Sequence, residues 1–185
     1  MIKSRPVYEN FCADPAGRAH LLVTDSCAVP EDVMLDFEFL NVEVWVVHVV
    51  APGIQAQDGP ARAFRATADL LATLASRLAR ESVGLRLYAV GTEPFLWDVN
   101  NVARAAGLGN GEIFLKHAGS LKRRVYCSHC KTMNEDVTTS IVKCRGCGAN
   151  LFVRDHFSRR LAAFMGVAVD AEVPGEIPQA EVIYP

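Results

Sequence analysis

Apolar and polar positions along the chain fall into short, differently spaced blocks. Residues 20–25 (His20 to Asp25) read as a short buried strand ending in turn formers. Val42 to Val50 is β-branched and aromatic almost throughout, the pattern of a central strand covered on both faces, with Ala51-Pro52-Gly53 as its stop. From about Pro60 to Glu81 the period changes to that of an amphipathic helix. Phe64, Leu71, Leu74, Ala75 and Leu78 share one stripe, and Arg62, Arg65, Asp69, Arg77 and Arg80 face elsewhere. Gly84 to Val90 is the next strand, closed by Gly91-Thr92. Glu93-Pro94 opens a second helix through Phe95, Leu96, Val99, Val102 and Ala106, with proline in its first turn. Glu112 to His117 gives one more strand. This alternation predicts an α/β fold with a small parallel sheet and right-handed crossovers.

Beyond Gly119 the chemistry changes. Cys127-Ser128-His129-Cys130 and Cys144-Arg145-Gly146-Cys147-Gly148 are two Cys-x-x-Cys knuckles separated by thirteen residues. Each knuckle places two thiolates on one tight turn, and the spacer is long enough for a hairpin that brings the turns face to face. The spacing predicts a closed metal site formed by Cys127, Cys130, Cys144 and Cys147, in a rubredoxin-like or zinc-ribbon β module. A closed four-thiolate site holds a fold together with zinc or passes single electrons with iron, and the ligand set alone does not separate the two. Gly148 suits a turn whose N–H groups point toward the sulfurs. His129 is expected to face solvent, since four cysteines complete a tetrahedron. Cys12 and Cys27 have no ligand-like neighbours and are expected as small buried apolar residues. Asp155 to Val167 reads as a short helix or an irregular docking segment.

The boundaries expected from this pass are residues 1–118 for the α/β body, 119–167 for the metal ribbon with its docking segment, and 168–185 for an extended tail. That tail carries Pro174, Pro178 and Pro185 and is expected to lie on a partner.

Charge sharpens the contrast. The 185-residue chain has a net charge of −2, but between Lys116 and Arg160 ten basic residues face three acids. The rest of the chain is therefore strongly acidic. A basic ribbon of this kind suits docking to an acidic protein face, and Lys122, Arg123, Arg124, Lys143, Arg145, Arg159 and Arg160 are the candidate docking residues. Nucleic-acid backbone is a weaker match, because the ribbon offers few stacking aromatics beyond Tyr126 and Phe152 and the body is acidic. The N-terminus has no apolar run after its charges, and Val44 to Pro52 is too short to span a bilayer, so a cytoplasmic protein without membrane contact is expected. No Ser/His/Asp set or carboxylate pair suggests hydrolysis, and no catalytic residue is assigned. Trp45 and Trp97 are expected in the core.

The segment from Leu87 to Phe95 resembles the Cys-Gly-Pro-type segment that ends the nucleotide-binding domain of ferredoxin-reductase-like flavoenzymes. The order of elements from residue 20 to residue 117 is similar to that domain. The chain departs from it in telling places. Where the first strand should lead into a glycine-rich phosphate turn stands the segment Val23 to Pro30, without glycine and with Asp25, whose charge would repel phosphate. Ala89 stands in place of the motif's cysteine and Thr92 in place of its first proline. A body that keeps the reductase shape without binding nucleotide is expected, so no residue is assigned to a nucleotide or flavin.

A reductase-like body joined to a four-cysteine ribbon, with Asp155 to Leu161 following, resembles the small subunit of bacterial haem-dependent dimethylamine monooxygenases. That resemblance implies a third component beside a haem oxygenase subunit and a reductase subunit carrying flavin and a ferredoxin-type cluster. Such enzymes convert dimethylamine to methylamine and formaldehyde with NADPH and O₂. The chain would relay electrons between those two subunits without being catalytic alone, and the redox setting favours iron over zinc. The alternatives are a zinc-stabilised assembly subunit of the same complex and a zinc-ribbon nucleic-acid binder. In isolation the chain could also pair with itself.

Overall fold

The computed structural model describes residues 4–8, 12–47 and 61–185. The chain divides into two compact units, Tyr8–Gly119 and Ser120–Pro185 with the N-terminal residues up to Val7.

The first unit is a five-stranded sheet with α-helices in its connections. Its elements in chain order are β1 (Ala19–Thr24), α1 (Glu31–Leu35), β2 (Val42–Val47), β3 (Ala61–Phe64), α2 (Thr67–Leu78), β4 (Leu85–Gly91), α3 (Glu93–Ala105) and β5 (Ile113–His117). The strand order is β3-β2-β1-β4-β5, and every pairing is parallel. Side chains alternate across the pleat. Leu21, Val23, Trp45, Val47, Leu87 and Ala89 meet Leu70, Leu74 and Leu78 of α2 and Phe95, Leu96, Val99 and Ala103 of α3. Their neighbours Leu22, Val44, Val46, Tyr88 and Val90 face the other way, onto Val33 and Phe37. Each Leu, Val or Phe among them, once buried, stabilises the fold by about 1.5–3 kcal/mol. Two-sided burial is why the inner stretches of these strands, Leu21 to Val23, Val44 to Val47 and Leu87 to Val90, read as continuous apolar runs. Trp45 and Trp97 are both buried.

Two expectations in this unit need correction. The helix expected from Pro60 begins only at Thr67, because residues 61–64 form the edge strand β3, with Ala61 opposite Val44 and Phe64 opposite Val47. The Phe64 ring packs on Trp45 at 5.2 Å, and Arg62 lies over both rings, so tertiary contacts capture a segment whose spacing also suits a helix. The buried stripe of α2 is Leu70, Leu74 and Leu78, while Ala75 is exposed. Cys12 and Cys27, expected inside, are both exposed. Pro60 and the end of the second expected strand, from residue 48, lie outside the described residues.

The second unit is a β ribbon: β6 (Arg123–Cys127), β7 (Met133–Val137), β8 (Ile141–Lys143), β9 (Asn150–Ser158) and β10 (Ala163–Ala168), in the order β7-β6-β10-β9-β8. The pairs β6–β7, β8–β9 and β9–β10 are antiparallel hairpins, and β10 closes against β6 in parallel. Residues 155–167 are therefore neither helix nor irregular segment but most of one hairpin. Phe157 faces Phe164 across it, with ring centroids 4.9 Å apart.

The C-terminal segment returns to this ribbon. Ile183 and Tyr184 N–H groups donate to the Thr138 carbonyl at 3.0 and 2.9 Å, and Leu121 N–H donates to the Pro185 carbonyl at 2.8 Å. The Tyr184 ring lies 3.8 Å from the Arg123 guanidinium, with Phe164 at the same distance.

Candidate metal centre

Both knuckles sit at hairpin turns, Cys127 and Cys130 between β6 and β7, Cys144 and Cys147 between β8 and β9. They share one backbone plan. Lys131 N–H donates to the Cys127 carbonyl at 3.0 Å, and Gly148 N–H donates to the Cys144 carbonyl at 3.0 Å. The fifth residue of each knuckle is left-handed, Lys131 at φ 69° and Gly148 at φ 76°. Glycine takes that conformation freely, and Lys131 takes it at some strain. A second bond closes each loop, from Cys127 N–H to the Thr132 carbonyl at 2.9 Å and from Cys144 N–H to the Ala149 carbonyl at 2.8 Å.

The four sulfurs converge within 4.8 Å of one another. Cys127 Sγ lies 3.9 Å from Cys147 Sγ, and Cys130 Sγ lies 3.6 Å from Cys144 Sγ. A tetrahedron with metal–sulfur bonds of about 2.3 Å has edges of about 3.8 Å, so the cage has the size a thiolate-bound ion requires. Cys127 and Cys144 are buried, Cys130 is half-buried and Cys147 is exposed, which gives the cage one solvent-facing corner.

The sulfurs differ in their surroundings. The Thr132 hydroxyl, 3.2 Å from Cys130 Sγ, together with the Thr132 N–H, holds the Cys130 thiol down at about 6. At Cys147 the Ala149 N–H pulls downward, but desolvation and the three neighbouring sulfur groups push the thiol up to about 11. Binding of a metal near neutral pH must then displace the proton on Cys147.

Three contributors around the cage carry no signal in the Cys-x-x-Cys pattern. Gly146 is required by close approach, because a Cβ there would collide with the Thr132 hydroxyl and come within 3.1 Å of Cys130 Sγ. Thr132 supports Cys130. Asn134, 1% exposed, accepts from Arg145 N–H at 2.8 Å and donates toward the Val125 carbonyl at 3.2 Å. A polar residue behind a knuckle is the one sequence hint available for these positions.

The candidate docking residues separate into groups. Lys122, Lys143, Arg145, Arg159 and Arg160 are exposed. Arg124 is half-buried and bonded to Glu135 at 2.7 and 3.0 Å. Arg123 is a correction: only 4% exposed, it is held between the Phe164 and Tyr184 rings and donates to Asp155 at 2.8 Å, so its charge is spent inside the ribbon. Lys131, absent from the candidates, is exposed beside the first knuckle, as is His129.

In the α/β unit, the C-terminal ends of β1 and β4 meet at Asp25. Its carboxylate accepts from the Thr92 N–H at 3.2 Å and from the Thr92 hydroxyl at 2.5 Å, at the N-terminus of α3. Gly91 is needed there, since a Cβ would run into that carboxylate. No helix among the described residues is long and apolar enough to cross a membrane.

Comparison with known proteins adds the following. The family described as "Dimethylamine monooxygenase subunit DmmA-like" matches in two parts, its N-terminal domain over residues 54–113 and its C-terminal domain over residues 124–167. The chain is 36% identical over 171 residues to the "Heme-dependent oxidative N-demethylase delta subunit" of Ectopseudomonas mendocina (strain ymp), covering 92% of this chain and 91% of that one. Among solved structures it is similar to phthalate dioxygenase reductase, described as a modular structure for electron transfer from pyridine nucleotides to [2Fe-2S]. That likeness has a TM-score of 0.42 and 11% identity, over 85% of this chain and 67% of the reductase.

Proposed function

The chain belongs to the DmmA-like family of dimethylamine monooxygenase subunits, and on that premise we propose that it is the non-catalytic electron-relay subunit of a haem-dependent amine demethylase. The observation that carries this reading is the four-sulfur cage with a single exposed corner, set in a basic ribbon. Iron in such a cage supplies a one-electron couple, whereas zinc supplies only a structural node. We assign iron.

The residues divide the work. Cys127 and Cys144 anchor the cage in the ribbon core with Leu151, and Cys147 presents its accessible edge. Exposed Lys131, Lys143 and Arg145, on or beside the knuckles, attract an acidic face of a reductase subunit carrying flavin and a ferredoxin-type cluster. A haem oxygenase subunit receives the electrons. Two one-electron passages per NADPH supply the two electrons that each O₂-dependent demethylation consumes.

Nucleotide binding is not part of this role. The turn after β1, where a glycine-rich segment would hold phosphate, instead carries Asp25, whose carboxylate accepts from the Thr92 N–H and hydroxyl and would repel phosphate. We place the assembly in the cytoplasm, where thiols stay reduced.

The docking claim is tested by charge reversal. At low ionic strength, the double variant Lys143→Glu/Arg145→Glu raises the reductase concentration needed for half-maximal turnover by about 10-fold, and the gap closes as salt is added. An unchanged reductase dependence at every salt concentration removes these residues from the interface. The zinc-stabilised assembly subunit is the second reading, and the participation of Cys127 and Cys144 in the ribbon core favours it.

A further inference from the structure

We propose that Asn134 is the positioning residue of the metal centre: its one side-chain amide locks the two knuckles together and donates a hydrogen bond to the sulfur of Cys144. The inference rests on the metal-centre reading above and adds to it a residue that binds no metal itself.

Asn134 stands second in β7 and is almost completely buried. Its amide has one orientation that satisfies its neighbours. The oxygen must face Arg145 N–H, a donor at 2.8 Å, so the nitrogen faces the acceptors. Those are the Val125 carbonyl at 3.2 Å, the Thr132 carbonyl at 3.3 Å and Cys144 Sγ at 3.8 Å. Val125 and Thr132 belong to the hairpin of the first knuckle, Cys144 and Arg145 to the second. Every polar atom of the side chain is therefore engaged, and its bonds with Arg145 N–H and Cys144 Sγ cross from the first hairpin to the second, beside the bond from the Arg145 guanidinium to the Glu135 carbonyl at 3.4 Å.

Two consequences follow from elementary electrostatics. Arg145 N–H is the second backbone group of the Cys144 knuckle, so the Asn134 oxygen fixes where that turn sits relative to the first. An N–H aimed at a ligating sulfur withdraws negative charge from it, which would raise the reduction potential of iron held there. Replacement by aspartate keeps the shape but removes the donor. It then sets a carboxylate against two carbonyl oxygens and a thiolate.

The test uses the full chain and a spectroscopic probe metal, cobalt(II), in competition with a chelator. Wild type is expected to take one cobalt with thiolate-to-metal charge-transfer bands, and Asn134→Asp to bind it about 10–100-fold more weakly with those bands displaced. Equal affinity and identical bands in the two proteins would overturn the inference. A wild type without thiolate bands would instead overturn the metal centre itself. A measurement without any variant guards against misfolding. In the ¹⁵N-labelled, ¹¹³Cd-loaded wild-type chain, the Asn134 side-chain amide protons are expected to show coupling to cadmium through the hydrogen bond and slow exchange with solvent. Fast-exchanging protons with no coupling would refute the proposal whatever the variant does.

Discussion

Cys144→Ser, introduced into this chain and assayed in the complete enzyme, is expected to lower NADPH-driven demethylation by more than about 100-fold, since loss of a ligand exceeds the 10–100-fold cost of disturbing its supports. Turnover of the oxygenase subunit reduced chemically, without the reductase, is expected to stay unchanged. Cys144 is the right position to alter because it is buried, receives the Asn134 donor and lies 3.6 Å from Cys130 Sγ. Serine offers a hard oxygen on a shorter bond, and a soft thiolate-selective ion loses one quarter of its cage. Steady-state rates with NADPH and with a chemical reductant separate the two arms. Loss of both would mean that the chain assembles the oxygenase rather than feeding it. Full NADPH-driven activity would end the relay reading.

Removal of the metal is the second large effect. The ribbon's buried set is modest, built on Val125, Leu151, Val153, Phe157 and Phe164, and the ligating cysteines are themselves part of it. A domain of that size draws much of its stability from the ion, and closed thiolate sites contribute on the order of 10 kcal/mol to folding. A strong chelator is therefore expected to abolish amide-exchange protection at Val125, Leu151 and Val153, while Leu22, Leu87 and Leu96 in the separate core of the α/β unit keep theirs. Ribbon amides that stay protected after complete metal removal would show that the hairpins stand without the ion.

What could be read in the sequence follows from how local each determinant is. The knuckles were legible because ligand geometry is set within a few residues, and the matched bonds from Lys131 and Gly148 are the local consequence. The buried strands of the α/β sheet were legible because burial on both faces leaves continuous apolar runs. Residues 61–64 misled, since Phe64 lies two helical turns before Leu71 yet owes its place to Trp45, a contact formed only in the folded sheet. The hairpin at residues 150–168 was obscured because its inward positions, Leu151, Val153 and Phe157, begin before the stretch that looked distinctive. Arg123 reads as surface charge until Tyr184, far along the chain, closes over it. Asn134 and Gly146 act between two hairpins, and single-segment patterns carry little trace of such contacts beyond the polar character of Asn134 behind its knuckle.

Asp25 shows the converse. Its presence where a phosphate turn would need glycine was visible in the sequence, and the structure supplies the reason it is tolerated: Thr92 provides two donors to its carboxylate, and Gly91 leaves room for it.

The most direct test of the relay is metal analysis of the purified chain together with its visible absorption spectrum. The account predicts one iron per chain, with thiolate charge-transfer bands that bleach on reduction with dithionite and return in air. One zinc per colourless chain would contradict it, leaving a structural subunit and electrons that pass from reductase to haem by another route.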